Sequence, residues 1–300
     1  MSTSSLLRLF ALSAIWGASF LFMRMAVPVL GPVLLIACRV GLAALFLWGV
    51  TVAVRASFSV RGNARHYLML GLFNSALPFT LFAHAAQTTT ASLLSVLNAT
   101  APIWAALLGA IWQQSRLSLR TLAGLGLGVS GVAVLAGFEW TQAPGASLSA
   151  LLAGLAAAAS YGVASVYSKS APQVSPLANA HGSMWAATLM LLPFAAFGTS
   201  ASPMASWSVP VSTAVLALGV VCSGVAYLLY FRLIQDEGAS SALTVTFLIP
   251  VFGVLWGALI LGEPVGWQTA VGGLAVLAGT GLVTGFLKPE RWLGGARHAH

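Results

Sequence analysis

Three prolines stand inside long apolar runs, each four residues after a polar side chain. Pro78 follows Asn74, Pro102 follows Asn98 and Pro250 follows Thr246. Proline has no N–H, so each removes the helical hydrogen bond to the carbonyl four residues back. The freed carbonyl therefore belongs to a residue whose side chain is polar too. In hydrocarbon an unsatisfied carbonyl is costly, so such a position faces protein or a wet cavity. Two readings stay open: a kinked polar lining that touches a solute, or a kink satisfied by neighbouring helices.

Aromatic and hydroxyl residues recur at helical spacing. Tyr161, Ser165 and Ser168 share one face, Ser223, Tyr227 and Tyr230 another, and Trp16 and Phe20 a third. Stripes of this kind serve packing or interfacial belts. Trp16, Tyr161 and Tyr227, however, lie well inside their runs. A cavity walled by aromatics with a few polar groups suits a small amphipathic molecule. His84 and His181 lie in or near apolar runs, either as neutral bonded histidines or as proton carriers. Arg24 and Arg39 fall in apolar runs where charge is not expected. Either can snorkel to headgroups or hold a carboxylate. Arg24 reads as snorkelling, Arg39 as a structural or pathway residue.

Other chemistry is missing. No Asp or Glu lies in the middle of an apolar run, where proton-coupled carriers commonly keep a carboxylate. Transport, if that is the activity, is therefore expected to be facilitated. The sequence holds no G-x4-G-K-[ST], no metal-spaced His/Cys cluster, no HExxH and no G-x-S-x-G. No cofactor, metal or enzymatic activity is expected. Cys38 and Cys222 both fall in apolar runs and read as small buried hydrophobes rather than a disulfide.

The elements that carry these residues follow from composition. Of 300 residues, 59% are apolar and 6% charged, against about 25% charged in a soluble domain. About 20 apolar residues cross a bilayer as a helix, and the alternation of a membrane barrel is absent. Ten spans are predicted, over 6–27, 33–54, 67–86, 91–112, 119–137, 148–169, 177–198, 211–234, 240–261 and 266–287. Arg8 before the first imitates a signal peptide, but the apolar run is too long for one and is expected to be retained. With the N-terminus in the cytoplasm, the inside collects Arg8, Arg55, Arg61, Arg65, Arg116, Arg120, Lys169, Arg232, Lys288, Arg291 and Arg297. The outer loops collect only Glu139 and Glu263. Such asymmetry places both termini inside. The net charge of +8 is thus matched to lipid headgroups and not to nucleic acid.

The chain also repeats itself. Residues 68–138 slide onto 216–286 without a gap, pairing Gly71/Gly219, Ser75/Ser223, Gln87/Gln235, Ala91/Ala239, Ser92/Ser240, Pro102/Pro250, Gly109/Gly257, Thr121/Thr269, Gly124/Gly272 and Gly131/Gly279. More weakly, Trp16-Gly17 lines up with Tyr161-Gly162. Residues 1–140 and 141–300 then form two copies of five spans, and five being odd, the second enters the membrane inverted. Arg116 and Arg120 face Pro264 and Gln268, with Glu263 opposite Ser115, so the loops change charge as inversion requires. The expectation is an all-α integral membrane protein of ten transmembrane helices, two inverted five-helix repeats meeting around a central cavity, as in alternating-access carriers. Glycines in the fifth and tenth spans serve close packing, as scaffold or as a dimer surface.

These residues resemble the drug/metabolite transporter superfamily of EamA type. The likeness rests on Trp16-Gly17-Ala18-Ser19-Phe20, Ala37-Cys38-Arg39-Val40, Ala91-Ser92-Leu93-Leu94 with Pro102, Ser240-Ser241-Ala242-Leu243 with Pro250, and Leu261-Gly262-Glu263-Pro264 followed by Gly272 and Gly279. The first copy departs from the last motif, with Ser115 where the acid would stand. The resemblance implies ten helices and a central cavity. On general likeness the chain is most similar to bacterial amino-acid exporters of the YddG type. The expected function is export of amino acids across the bacterial inner membrane with broad specificity, by a monomer or homodimer. A drug, nucleoside or sugar-phosphate carrier is the alternative, with a lipid-acting membrane enzyme third. The expected pathway is Trp16, Arg39, Asn74, Pro78, His84, Asn98, Pro102, Tyr161, Ser165, His181, Ser223, Tyr227, Thr246 and Pro250.

Overall fold

The structure is a computed structural model and describes residues 2–142, 147–197, 207–242 and 244–287. The expected inside residues Lys288, Arg291 and Arg297, and Leu243 of the Ser240–Leu243 motif, lie outside the described residues. Every regular element among the described residues is helical. They are α1 (Thr3–Ala53), α2 (Ala64–Ala85), α3 (Ala91–Trp112), α4 (Leu119–Gln142), α5 (Leu148–Ser168), α6 (Pro176–Phe197), α7 (Val209–Gly238), α8 (Val245–Leu261) and α9 (Trp267–Thr284). Among the described residues, seven helices are long and apolar enough to cross a membrane. Helices satisfy their own backbone groups, which is what hydrocarbon demands. The outward faces carry Leu119, Phe197 and Val209, each more than 80% exposed. An apolar exterior of that kind is a surface for lipid chains.

α1 is 51 residues long, far beyond the roughly 20 needed to span hydrocarbon. It is broken at Gly31, whose φ of 70° and ψ of 167° are not helical. Pro28 and Pro32 flank the break and each removes a backbone bond, while glycine alone accepts the left-handed φ freely. The spans expected over 6–27 and 33–54 fall on either side. A second break is Gly238, at φ 83° and ψ 161°. α3 pauses in a turn at Ala99 and Thr100 before Pro102.

α1 is the central element, packing on α6, α7 and α8. The tightest crossing is α4 against α9. There a Cβ on Gly124 would come 2.6 Å from the Gly279 carbonyl, and one on Gly131 would come 2.6 Å from the Gly272 carbonyl. No side chain fits at those distances, so the backbones touch because all four positions are glycine. Two other glycines act alike: Gly17 lies against Phe252 and Gly253, and Gly162 against Trp104 and Ala105.

Candidate functional site

Two helices carry a local irregularity beside the cavity. Leu72–Ala76 of α2 and Ala217–Val225 of α7 are wound as π-helix, with the overlapping stretches 72–76 and 220–224 in register under the repeat. Such turns insert an extra residue, redirect side chains, and are frequent at functional sites. Pro78 accounts for the loosened turn in α2. Its mate in α7 is Ala226, so proline is not the cause there. Asn74 and Ser223 sit in these turns, and both line the cavity.

The cavity measures about 1040 Å³. Its walls come from both halves of the chain, and many lining residues are mates under the 148-residue shift: Asn74 with Cys222, Phe79 with Tyr227, Asn98 with Thr246. At one end it reaches exposed Lys169, Thr284 and Phe286, next to a smaller recess that includes Arg116. At the other it stops at Phe20, Met23 and Phe82, all at most 5% exposed.

Beyond that stop, two carboxylates bind the start of α3. Glu263 Oε1 accepts from the Ala91 N–H at 2.7 Å. Glu263 Oε2 accepts from the Ser92 N–H at 3.1 Å and the Ser92 hydroxyl at 2.8 Å. Glu139 accepts from the Thr90 N–H at 2.7 Å and the Thr90 hydroxyl at 2.9 Å. The first N–H groups of a helix lack backbone partners, and the macrodipole favours negative charge there. Arg24 Nη1 donates to the Thr89 carbonyl at 2.7 Å and lies 3.5 Å from Glu263. It is thus held by protein groups and not simply extended to headgroups.

Inside the cavity, Arg39 is 3% exposed. Its Nε donates to the Ser223 hydroxyl at 2.9 Å, and Ser223 donates onward to the Leu218 carbonyl at 3.0 Å. The guanidinium carbon lies 3.8 Å from the Phe79 ring centroid, a cation–π geometry. Arg39 Nη1 has no partner. Asn74 donates to the Tyr227 hydroxyl at 3.3 Å. The Trp16 indole donates to the Cys222 carbonyl at 3.2 Å, which fixes the ring against Tyr230 at 5.4 Å. Cys38 and Cys222 are both free.

Of the residues expected on the pathway, Trp16, Arg39, Asn74, Asn98, Pro102, Tyr161, Ser165, Ser223, Tyr227 and Thr246 line this cavity. Pro78, His84, His181 and Pro250 are outside its lining. Pro78 and Pro250 are buried among helices, and they act on the backbone rather than at the surface of the cavity. His84 is exposed. His181 is occupied elsewhere: Nε2 accepts from the Trp185 indole at 2.9 Å, Nδ1 lies 3.3 Å from the Thr51 hydroxyl, and the ring rests 4.3 Å from Phe58. Phe79, Ser19 and Lys169 line the cavity without having been expected there. For Phe79 a signal existed: it is the repeat mate of Tyr227. No group of His, Cys, Asp or Glu among the described residues could hold a metal ion. None of the described acids lines the cavity.

The chain is similar to known proteins over most of its length. The EamA-like transporter family matches the chain twice, over residues 3–137 and 148–285. The "Uncharacterized transporter YoaV" of Bacillus subtilis is 24% identical over 278 residues, covering 91% of this chain and 94% of its own. The "Uncharacterized transporter YvbV" of the same organism is 25% identical over 297 residues, covering 96% and 94%. An "Uncharacterized transporter" of Archaeoglobus fulgidus is 25% identical over 278 residues, covering 90% and 93%. A solved structure described as "Crystal structure of protein" has the same fold, with a TM-score of 0.64 at 20% identity over 95% of this chain and 98% of that one.

Proposed function

The chain belongs to the EamA-like transporter family, and from that premise we propose that it exports amino acids, with broad specificity, across the bacterial inner membrane by alternating access. In this reading it is an amino-acid exporter of the YddG type. The single observation that carries this reading is the cavity, walled by both copies, reaching the surface at one end and stopped at the other.

The architecture in this reading is ten spans in two inverted copies, residues 1–140 and 141–300, with α1 crossing twice about Gly31. Its support is the pattern of close contacts. Gly124 meets Gly279 and Gly131 meets Gly272, and each pair becomes the other when the copies are exchanged. Gly17 meets 252–253 while Gly162 meets 104–105, again an exchange of copies. Two halves related in this way can pack open to either side. The exposed end bears Lys169 and Arg116; under the positive-inside rule it is cytoplasmic, where a solute bound for export must enter. The cavity's aromatic walls suit an apolar side chain, and Asn74, Asn98, Ser165 and Thr246 among its lining suit the polar end of an amino acid. The absence of acids from its lining among the described residues favours facilitated movement over proton coupling.

The test is counterflow in proteoliposomes with radiolabelled amino acids. Exchange of several, unaffected by an imposed pH gradient, is expected. Exchange of none of the twenty sinks the amino-acid reading, and uptake driven by the pH gradient alone sinks the facilitator. A drug or other metabolite as the solute is the second reading, favoured by Trp16, Phe20, Tyr161 and Tyr230 among the lining residues.

A further inference from the structure

We propose that Arg39 is the docking point for a carboxylate on the transported solute, and that the solute must be a monocarboxylate with an apolar or aromatic remainder. The proposal rests on the transport reading above and adds to it a residue and a chemical requirement.

A guanidinium taken out of water is costly unless an anion or several acceptors replace its hydration. Arg39 lines the cavity, is 3% exposed and has one neutral hydroxyl as its hydrogen-bond acceptor, at Nε. The Phe79 face offers some compensation, but Nη1 remains unmatched. The described acids are committed at helix ends: Glu139 and Glu263 to residues 90–92, Asp236 to Arg8 and Arg232, and Glu237 to the Ser2 N–H. No carboxylate among the described residues is therefore at hand. The Nε bond to Ser223 and the contact with Phe79 hold the fork in place, which lowers the ordering cost of a planar, paired interaction with a carboxylate.

The charge count sets the class. Arg39 is the one cation among the described residues lining the deep part of the cavity; Lys169 stands exposed at its mouth. A single deep cation matches one negative charge, and a phosphate ester or dicarboxylate would bring a second charge into an aromatic wall. Under the repeat's earlier alignment, which pairs Gly17 with Gly162, Arg39 falls against Met184, a buried apolar residue. The cation belongs to one copy, so the solute is bound in one orientation.

The test is counterflow by the intact protein in liposomes, comparing L-phenylalanine, its methyl ester, phenethylamine and 3-phenylpropionate. Wild type should prefer the two carboxylates over ester and amine by at least about tenfold, the worth of one charge-assisted contact. Arg39→Gln should abolish that preference. Arg39→Lys, which keeps the charge without the fork, should keep the preference with a raised KM. Equal rates for acid and ester in wild type overturn the proposal while leaving transport intact, as does a preference that survives in Arg39→Gln. If Arg39→Gln does not fold, an unchanged KM in Arg39→Lys overturns it. Exchange of 3-phenylpropionate but of no amino acid keeps the Arg39 proposal and removes the amino-acid reading. Exchange of nucleosides or cationic drugs alone removes both while leaving a transporter, and exchange of nothing removes the transport reading with them.

Discussion

Replacing Glu263 by glutamine should loosen the stopped end of the cavity. The carboxylate is buried, at 5% side-chain exposure, and accepts three hydrogen bonds from Ala91 and Ser92. It joins the second half of the chain to the start of α3 in the first. Glutamine keeps one oxygen for the Ala91 N–H but turns an NH2 toward the Ser92 N–H. The Ser92 hydroxyl can reverse and accept from that NH2, but the Ser92 N–H cannot, so one hydrogen bond to a charged acceptor is lost, worth about 1.5–3 kcal/mol. The favourable interaction of the charge with the helix terminus, about 0.3–1 kcal/mol, goes with it. The pairing with Arg24 adds little, because that side chain is 31% exposed and solvent screens it. The sum is about 2–4 kcal/mol, so even at the low end the open population should rise about 30-fold. The assay is labelling of Met23→Cys, at the stop, by an impermeant thiol reagent added from the outer face, with Cys38 and Cys222 replaced by alanine. The rate should rise by that factor in Glu263→Gln. A rate within threefold of the parent, with unchanged thermal stability, would refute the assignment of Glu263 as the residue that holds this end shut.

Two further outcomes follow from the same geometry. Ser115 stands 148 positions before Glu263, at the matching place under the sequence shift; if the proposed repeat holds, Ser115→Glu should supply the basic end with a matching latch and slow exchange about tenfold, for a latch of about 1.4 kcal/mol, as read by initial counterflow rates. Gly131→Leu places a side chain where a Cβ would already meet the Gly272 carbonyl at 2.6 Å, so thermal unfolding in detergent should show a loss of at least about 1–3 kcal/mol, whereas Gly126→Leu, with open space around it, should leave the midpoint unchanged.

The helical, membrane-crossing class was legible because hydrocarbon leaves few options, and apolar runs report them directly. That α4 and α9 pack closely was legible for a related reason: backbone contact tolerates only the smallest residues, so Gly124, Gly131, Gly272 and Gly279 stand out at fixed spacing. That they pack on each other was not, since the same glycines suit a scaffold or a dimer surface equally. The kink prolines drew attention to Asn74, Asn98 and Thr246, which line the cavity, while Pro78 and Pro250 themselves lie outside its lining. A freed carbonyl and the ring that frees it need not share a face. The π-helical turn in α7 carries no proline and was not legible; it coincides with the close approach of Gly219 to Leu42 and the Arg39 carbonyl. Nor was the Arg39–Phe79 contact, which joins residues far apart in sequence. His181 shows the limit of residue type as a guide: Trp185 stands one helical turn away, but Thr51 and Phe58, which also decide its place, lie far off in the chain.

The central claim is that one cavity is reached from each side of the membrane in turn. The most direct measurement is reaction of Asn98→Cys, with Cys38 and Cys222 replaced by alanine, with an impermeant thiol reagent applied separately to right-side-out and inside-out vesicles. The account predicts labelling from both faces, with labelling from the outer face accelerated by Glu263→Gln. Labelling from one face only, whatever the variant, or from neither, would contradict it.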